Sequence, residues 1–192
     1  MTAMTAAVRT VGRRTLALVA LSIVAILAGA ASGVAAPVHR AARACPHAKA
    51  YPSQMSQRAA IKATLCLLNY KRRVHHIGPL HENARLELAA LRHSRDMAKH
   101  NYFDHGNFIG RIRHTNYLTG ISTWAVGENI AWGSGSYSTP GSIVNQWMHS
   151  PPHRQNILNR RFREIGIGIA QGTPESGYPD GATYTTDFGA RG

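Results

Sequence analysis

Hydrophobic residues recur along this chain in three rhythms, and each predicts a different kind of element. Residues 16–34 form one apolar run without a charge, rich in Ala, Leu, Val and Ile. Residues 57–76 and 84–101 carry apolar positions every three or four residues, the spacing of helices with one buried face. In the first, Ala60, Ala63, Thr64, Leu67, Leu68 and Arg72 fall on that face. Gly78-Pro79 ends the helix and leaves Leu80 to pack onto the domain. In the second, Asn83 suits an N-cap. Leu86, Ala90, His93 and Met97 share a stripe, with Leu88, Leu91 and Ala98 beside it. Near the C terminus the period falls to two. Ile165, Ile167 and Ile169 alternate with Gly166, Gly168 and Ala170, and Tyr184, Thr186 and Phe188 alternate likewise. This predicts two strands joined by a turn region at 172–181.

The middle of the chain is rich in Gly, Ser and Thr. A short helix is predicted at 111–117, a short strand at 128–132 and a loop at 133–138. Thr139-Pro140 is a cap and first turn for another helix, with Ile143, Val144, Trp147 and Met148 facing inward. Helices, then strands mixed with helices, then a terminal strand pair suggest an α+β layered domain.

The N-terminal run reads as a signal peptide over residues 1–35. Arg9, Arg13 and Arg14 precede it, and the small residues Gly33-Val34-Ala35-Ala36 suit cleavage. The alternative is an uncleaved anchor, since the run is long enough to span a bilayer. Either reading places the remainder outside the cytoplasm, secreted or held at the cell envelope. Residues 36–60, with Pro37, Pro46 and Pro52, read as an arm or linker. An even pair of cysteines in an exported chain suggests a disulfide, Cys45 to Cys66, stapling that arm to the first helix; two unrelated thiols are the alternative. The formal charge is +13, and loss of the three leader arginines leaves +10. Export argues against nucleic acid as the partner. The basic clusters Lys71-Arg72-Arg73 and Arg160-Arg161 suit adsorption to anionic cell-envelope polymers, or simply a solvated surface.

Three short stretches carry candidate chemistry: Tyr102-Phe103-Asp104-His105, Gly127-Glu128-Asn129-Ile130-Ala131, and the run from Ser150-Pro151-Pro152-His153 through Arg154-Gln155-Asn156-Ile157-Leu158. Ser150 followed by Pro151 is a helix start, which puts His153 in a first helical turn. There the positive helix end disfavours an imidazolium. A neutral imidazole binds metals or accepts protons; it can also cap a backbone group. Glu128 is one of only nine acids and sits between Gly and Asn, either as a site carboxylate or as the order of a turn. His93 reads as a hydrogen-bonded core residue.

These stretches, in this order and ahead of Tyr184-Thr185-Thr186-Asp187-Phe188-Gly189, resemble the CAP superfamily (cysteine-rich secretory proteins, antigen 5, pathogenesis-related 1) in its bacterial SCP-like branch. The resemblance covers residues 62–189. It implies an α-β-α sandwich with a central, mostly antiparallel sheet, and a cleft holding two histidines and two acids. His105 matches the first histidine, Glu128 one acid and His153 the second histidine. The second acid falls at Ser150, which carries no charge. The segment between His105 and Arg111 is shorter than the family's, and Asn116 stands where a glycine is usual, a position Asn tolerates.

Two readings follow. One is a secreted, non-enzymatic binding module whose cleft, lined by His105, Glu128, Ser150 and His153, recognises a lipid, a wall fragment or a protein. The other is a metal-assisted hydrolase acting on peptides or wall polymers. There His105 and His153 hold Zn²⁺ or another divalent cation, and Glu128 acts as the catalytic base. No Gly-x-Ser-x-Gly or His-Glu-x-x-His occurs, and no cysteine lies near these motifs.

Overall fold

The computed structural model describes residues 45–192, so the leader segment lies outside the described residues. Helix α1 spans Gln57–Val74, with the Ser56 side chain capping Ala59 N. Its buried face is the predicted one, down to Arg72, which has no exposed surface. The helix stops at Val74 rather than 76, because His76 takes a left-handed backbone at φ 54°. The Cys45–Cys66 disulfide joins the arm to this helix, with Cα atoms 5.7 Å apart. Helix α2 spans Ala84–His100; the Asn83 side chain accepts from Arg85 N and Leu86 N as an N-cap should. Leu88 lies off the buried stripe and is exposed.

A four-stranded sheet has the order β1-β3-β4-β2. Strand β1 (His81–Glu82) runs parallel to β3 (Glu164–Gln171), and β4 (Ala182–Arg191) is antiparallel to both β3 and β2 (Trp124–Gly133). The sheet is therefore mostly antiparallel. The two-residue β1 is too short to carry a pattern. Strand β2 is longer than predicted because β4 pairs with it from Trp124↔Arg191 to Gly133↔Ala182. Both faces of β2 are covered for most of that length, so no clean alternation shows in its residues.

The glycine alternation of β3 decides how α2 packs. A Cβ at Gly166 would lie 2.0 Å from the backbone carbon of Leu86, and one at Gly168 2.2 Å from that of Ala90. The helix backbone thus rests directly on the strand. On the opposite face, Ile165, Ile167, Ile169, Tyr184 and Phe188 pack with Leu67 and Leu68 of α1 and with Trp147 of helix α4 (Pro140–His149). Helix α3 spans Phe108–His114, three residues earlier than predicted, because Asn107 caps Gly110 N. Asn116 adopts the left-handed backbone expected of it, at φ 61°. Helix α5 spans Pro151–Ile157. Helices on both faces of one sheet make the α-β-α sandwich.

Candidate functional site

Strand β2 is one of the two edge strands of the sheet, and the candidate residues gather at that edge from both faces. Successive strand residues point to opposite faces. Glu128 therefore faces the α2 side, while the next residue, Asn129, faces α5.

On the α2 side, Glu128 is locked. Its side chain is 1% exposed, Oε1 lies 2.8 Å from His105 Nδ1, and Oε2 accepts from Arg111 Nη2 at 2.6 Å. Arg111 also donates to the His105 carbonyl at 2.8 Å, so one guanidinium holds both partners in place. Helix α3 delivers Arg111, and the loop after α2 delivers His105.

Asp187 stands directly opposite Glu128 in the β2–β4 register. It has no exposed surface, and neither carboxyl oxygen has a hydrogen-bond partner among the described residues. Burial, and then the charge of Glu128, push its pKa well above the usual carboxylate range, while Arg111 pulls the other way. His93 of α2 adds a buried imidazole whose Nε2 is likewise unpartnered among the described residues. Burial lowers its pKa, and the nearby charge of Glu128 partly opposes this.

On the other side, His153 sits in the first turn of α5, where Pro151 opens the helix. The Ser150 side chain makes no capping bond, contrary to the expectation for that residue. Asn129 Nδ2 donates to the His153 carbonyl at 3.0 Å, and Asn156 Nδ2 donates to Glu128 O and to Asn129 Oδ1. Strand and helix are thereby stitched together. The His153 pKa is lowered, by burial first and by the charge of His105 second. The expected neutral imidazole is thus favoured by desolvation and a neighbouring ring.

Where β2, α4 and the start of α5 come together lies a cleft of about 360 Å³, lined in part by Phe103, Trp132, Gln146, Trp147, Ser150 and His153. Phe103, two residues from His105, brings the first histidine's loop to its rim. Of the four residues expected to line it, Ser150 and His153 do; His105, half exposed, and Glu128, buried, are not part of its wall. The walls are mainly aromatic and aliphatic. A larger groove of about 510 Å³, near Met55, Gln57, Arg95 and Lys99, contains no histidine or acid.

A divalent ion does not fit this arrangement well. Among the described residues, no three His, Cys, Asp or Glu side chains converge to hold one. Both oxygens of Glu128 are already engaged by Arg111 and His105, which leaves the two imidazoles as donors.

A protein-family model, the cysteine-rich secretory protein (CAP) family, matches residues 65–186. The chain belongs to this family. An uncharacterized Bacillus subtilis protein, YkwD, is 38% identical over 62% of this chain and 45% of its own length. A second B. subtilis protein, the uncharacterized membrane protein YlbC, is 29% identical over 59% of this chain and 32% of its own. The chain therefore spans less than half the length of either. Among solved structures, an extracellular SCP-domain protein from Bacillus anthracis superposes with TM-score 0.54 at 25% identity, over 70% of this chain and 43% of that one. An outer surface protein from Borrelia burgdorferi superposes with TM-score 0.59 at 19% identity, covering 72% of this chain and 97% of its own. The present chain is a bacterial-type CAP domain with the fold of these structures.

Within this CAP domain, three residues near the site escaped the sequence reading. Arg111 was legible only as a helix residue. Asp187 stood in a quoted stretch without a role, because its strand pattern does not reveal what faces it. His93 read as core, which its burial bears out, but its nearness to Glu128 could not be read from one helix.

Proposed function

We propose that this CAP domain is an exported, non-enzymatic binding module, and that the cleft beside His153 recognises an extracellular ligand: a lipid, a wall fragment or a protein segment. The observation that carries the reading is the state of Glu128. A base that activates water needs a free lone pair facing the substrate. Glu128 is buried and held by Arg111 and His105, so it serves as an anchor that orients the His105 ring. The cleft itself pairs aromatic walls with a few polar groups, the usual make-up of a ligand pocket.

Export rests on the leader pattern in residues 1–35 and is supported by the B. anthracis and B. burgdorferi relatives, described as extracellular and outer surface proteins. Among the described residues, no helix is long and apolar enough to cross a membrane. The test is a thermal-shift and tryptophan-fluorescence screen of lipids, wall fragments and peptides, with Zn²⁺ as a separate arm. A ligand that shifts the wild type, and loses its effect in Trp132→Ala and His153→Ala, supports the module. Catalytic cleavage of a defined bond, abolished by Glu128→Gln, overturns it in favour of the hydrolase.

A further inference from the structure

Two segments bearing basic clusters far apart in sequence are pinned together at the other end of α1 from its cap. Arg72 makes the junction. Its Nε donates to Gly78 O at 2.7 Å, Nη1 to Ile157 O and Asn159 O at 2.9 and 3.0 Å, and Nη2 to Phe162 O at 3.0 Å. The turn after α1 and the loop after α5 are thereby pinned side by side, and Arg160 Nη1 reaches His76 O at 3.2 Å. Arg163 donates to the carbonyls of Arg160 and Phe162.

The surface these joined segments form carries Lys71, Arg73, Arg160, Arg161 and Arg163, together with His75 and His76, while Arg72 itself is buried. Arg73, His76, Arg160, Arg161 and Arg163 are exposed. None of these cations has a carboxylate within 4.0 Å among the described residues, and residues 1–44 contain no acid at all. Glu164, the acid next in sequence, is saturated by Arg191, Tyr117 and Asn83. Burial and the charge of Arg163 lower the Arg72 pKa to about 10, which leaves it cationic at neutral pH. Assembling like charges without counter-ions destabilises a fold unless an external anion offsets the repulsion.

We propose that this face binds a polyanionic chain carrying repeated phosphate groups. Four of these five cations, Arg73, Arg160, Arg161 and Arg163, are exposed arginines, and guanidinium forks match phosphate oxygens bidentately. A bilayer surface fits less well. A membrane-adsorbing face needs several apolar side chains to insert, and here Val74 is the single exposed large hydrophobic side chain; Leu88, Phe103, Tyr137 and Tyr178 belong to other elements. Nothing in this depends on what the cleft binds.

The test measures binding of the full chain to inorganic polyphosphate across a salt series, with anionic phospholipid vesicles as the second arm. The triple variant Arg73→Glu, Arg160→Glu, Arg161→Glu is compared with Lys62→Glu, Arg95→Glu, Lys99→Glu, an equal change of charge on other surfaces. Polyphosphate affinity is expected to fall roughly tenfold or more in the first variant, with a salt slope lower by about 2, and little in the second. Equal losses in both would reduce the effect to net charge and overturn the site. Absence of polyphosphate binding overturns it as well. So does vesicle binding that is tighter than polyphosphate binding and lost only in the first variant. Comparing variants within the vesicle arm cancels any contribution of residues 16–34.

Discussion

Glu128 and Asp187 are cross-strand partners on β2 and β4, two buried carboxyls, and the guanidinium of Arg111 binds Glu128 and the His105 carbonyl. Glu128 takes that cation and the imidazole. Asp187 is left without a donor, and like charges side by side in the interior cannot both persist cheaply. Burial and the neighbouring Glu128 charge thus favour the neutral form of Asp187. In this chain a second acid does lie close to the site, beneath it on the sheet rather than at Ser150.

Asp187→Asn should test this through stability. A group whose folded pKa is raised contributes stability that is complete below its unfolded pKa, about 3.9, and is lost as pH rises through its folded pKa. The wild type should therefore lose stability toward alkaline pH relative to the Asn variant, which mimics the protonated acid. Urea denaturation at a series of pH values reads the difference. If the Asn variant is equally destabilised at every pH, the proton does not reside on Asp187.

His153 should titrate below the ordinary histidine value, because burial and the charge of His105 both disfavour its cation. In His105→Asn the midpoint should rise only part of the way back, since the larger cause, burial, remains. Ring-proton NMR titration measures both. The sign for stability is opposite to that of Asp187: with a lowered folded pKa, the His153 contribution is full above about 6.5 and declines as pH falls toward the folded value. An unchanged His153 midpoint in the variant would remove His105 from its neighbourhood.

Arg72→Met should cost on the order of 3–5 kcal/mol, because four backbone carbonyls lose a buried charged donor. Arg72→Lys should recover only part of this, as an ammonium cannot span the same fork. Chemical denaturation gives both values. A loss below about 1 kcal/mol would mean that water replaces the guanidinium.

Gly168→Val should prevent α2 from seating on β3, with a loss of about 3 kcal/mol or more, since the clash is with helix backbone and not with a movable side chain. Circular dichroism and the melting transition report it. A substitution at exposed Gly78, where a Cβ meets nothing within 4 Å, should change stability far less.

Periodicity and capping are local properties, so the sequence alone determined α1, α2, the inward face of α4, the β3–β4 pair and the Asn83 cap. The family motifs named the histidines and Glu128. Arg111 on Glu128, Asp187 behind it, and the meeting of Lys71-Arg72-Arg73 with Arg160-Arg161 were decided only by the tertiary structure. Each depends on strand register or on a hydrogen-bonded pin between distant segments, and neither leaves a spacing signal along the chain. The full length of β2 was hidden for the same reason: a strand covered on both faces shows no alternation, and its limits are set by the partner that pairs with it.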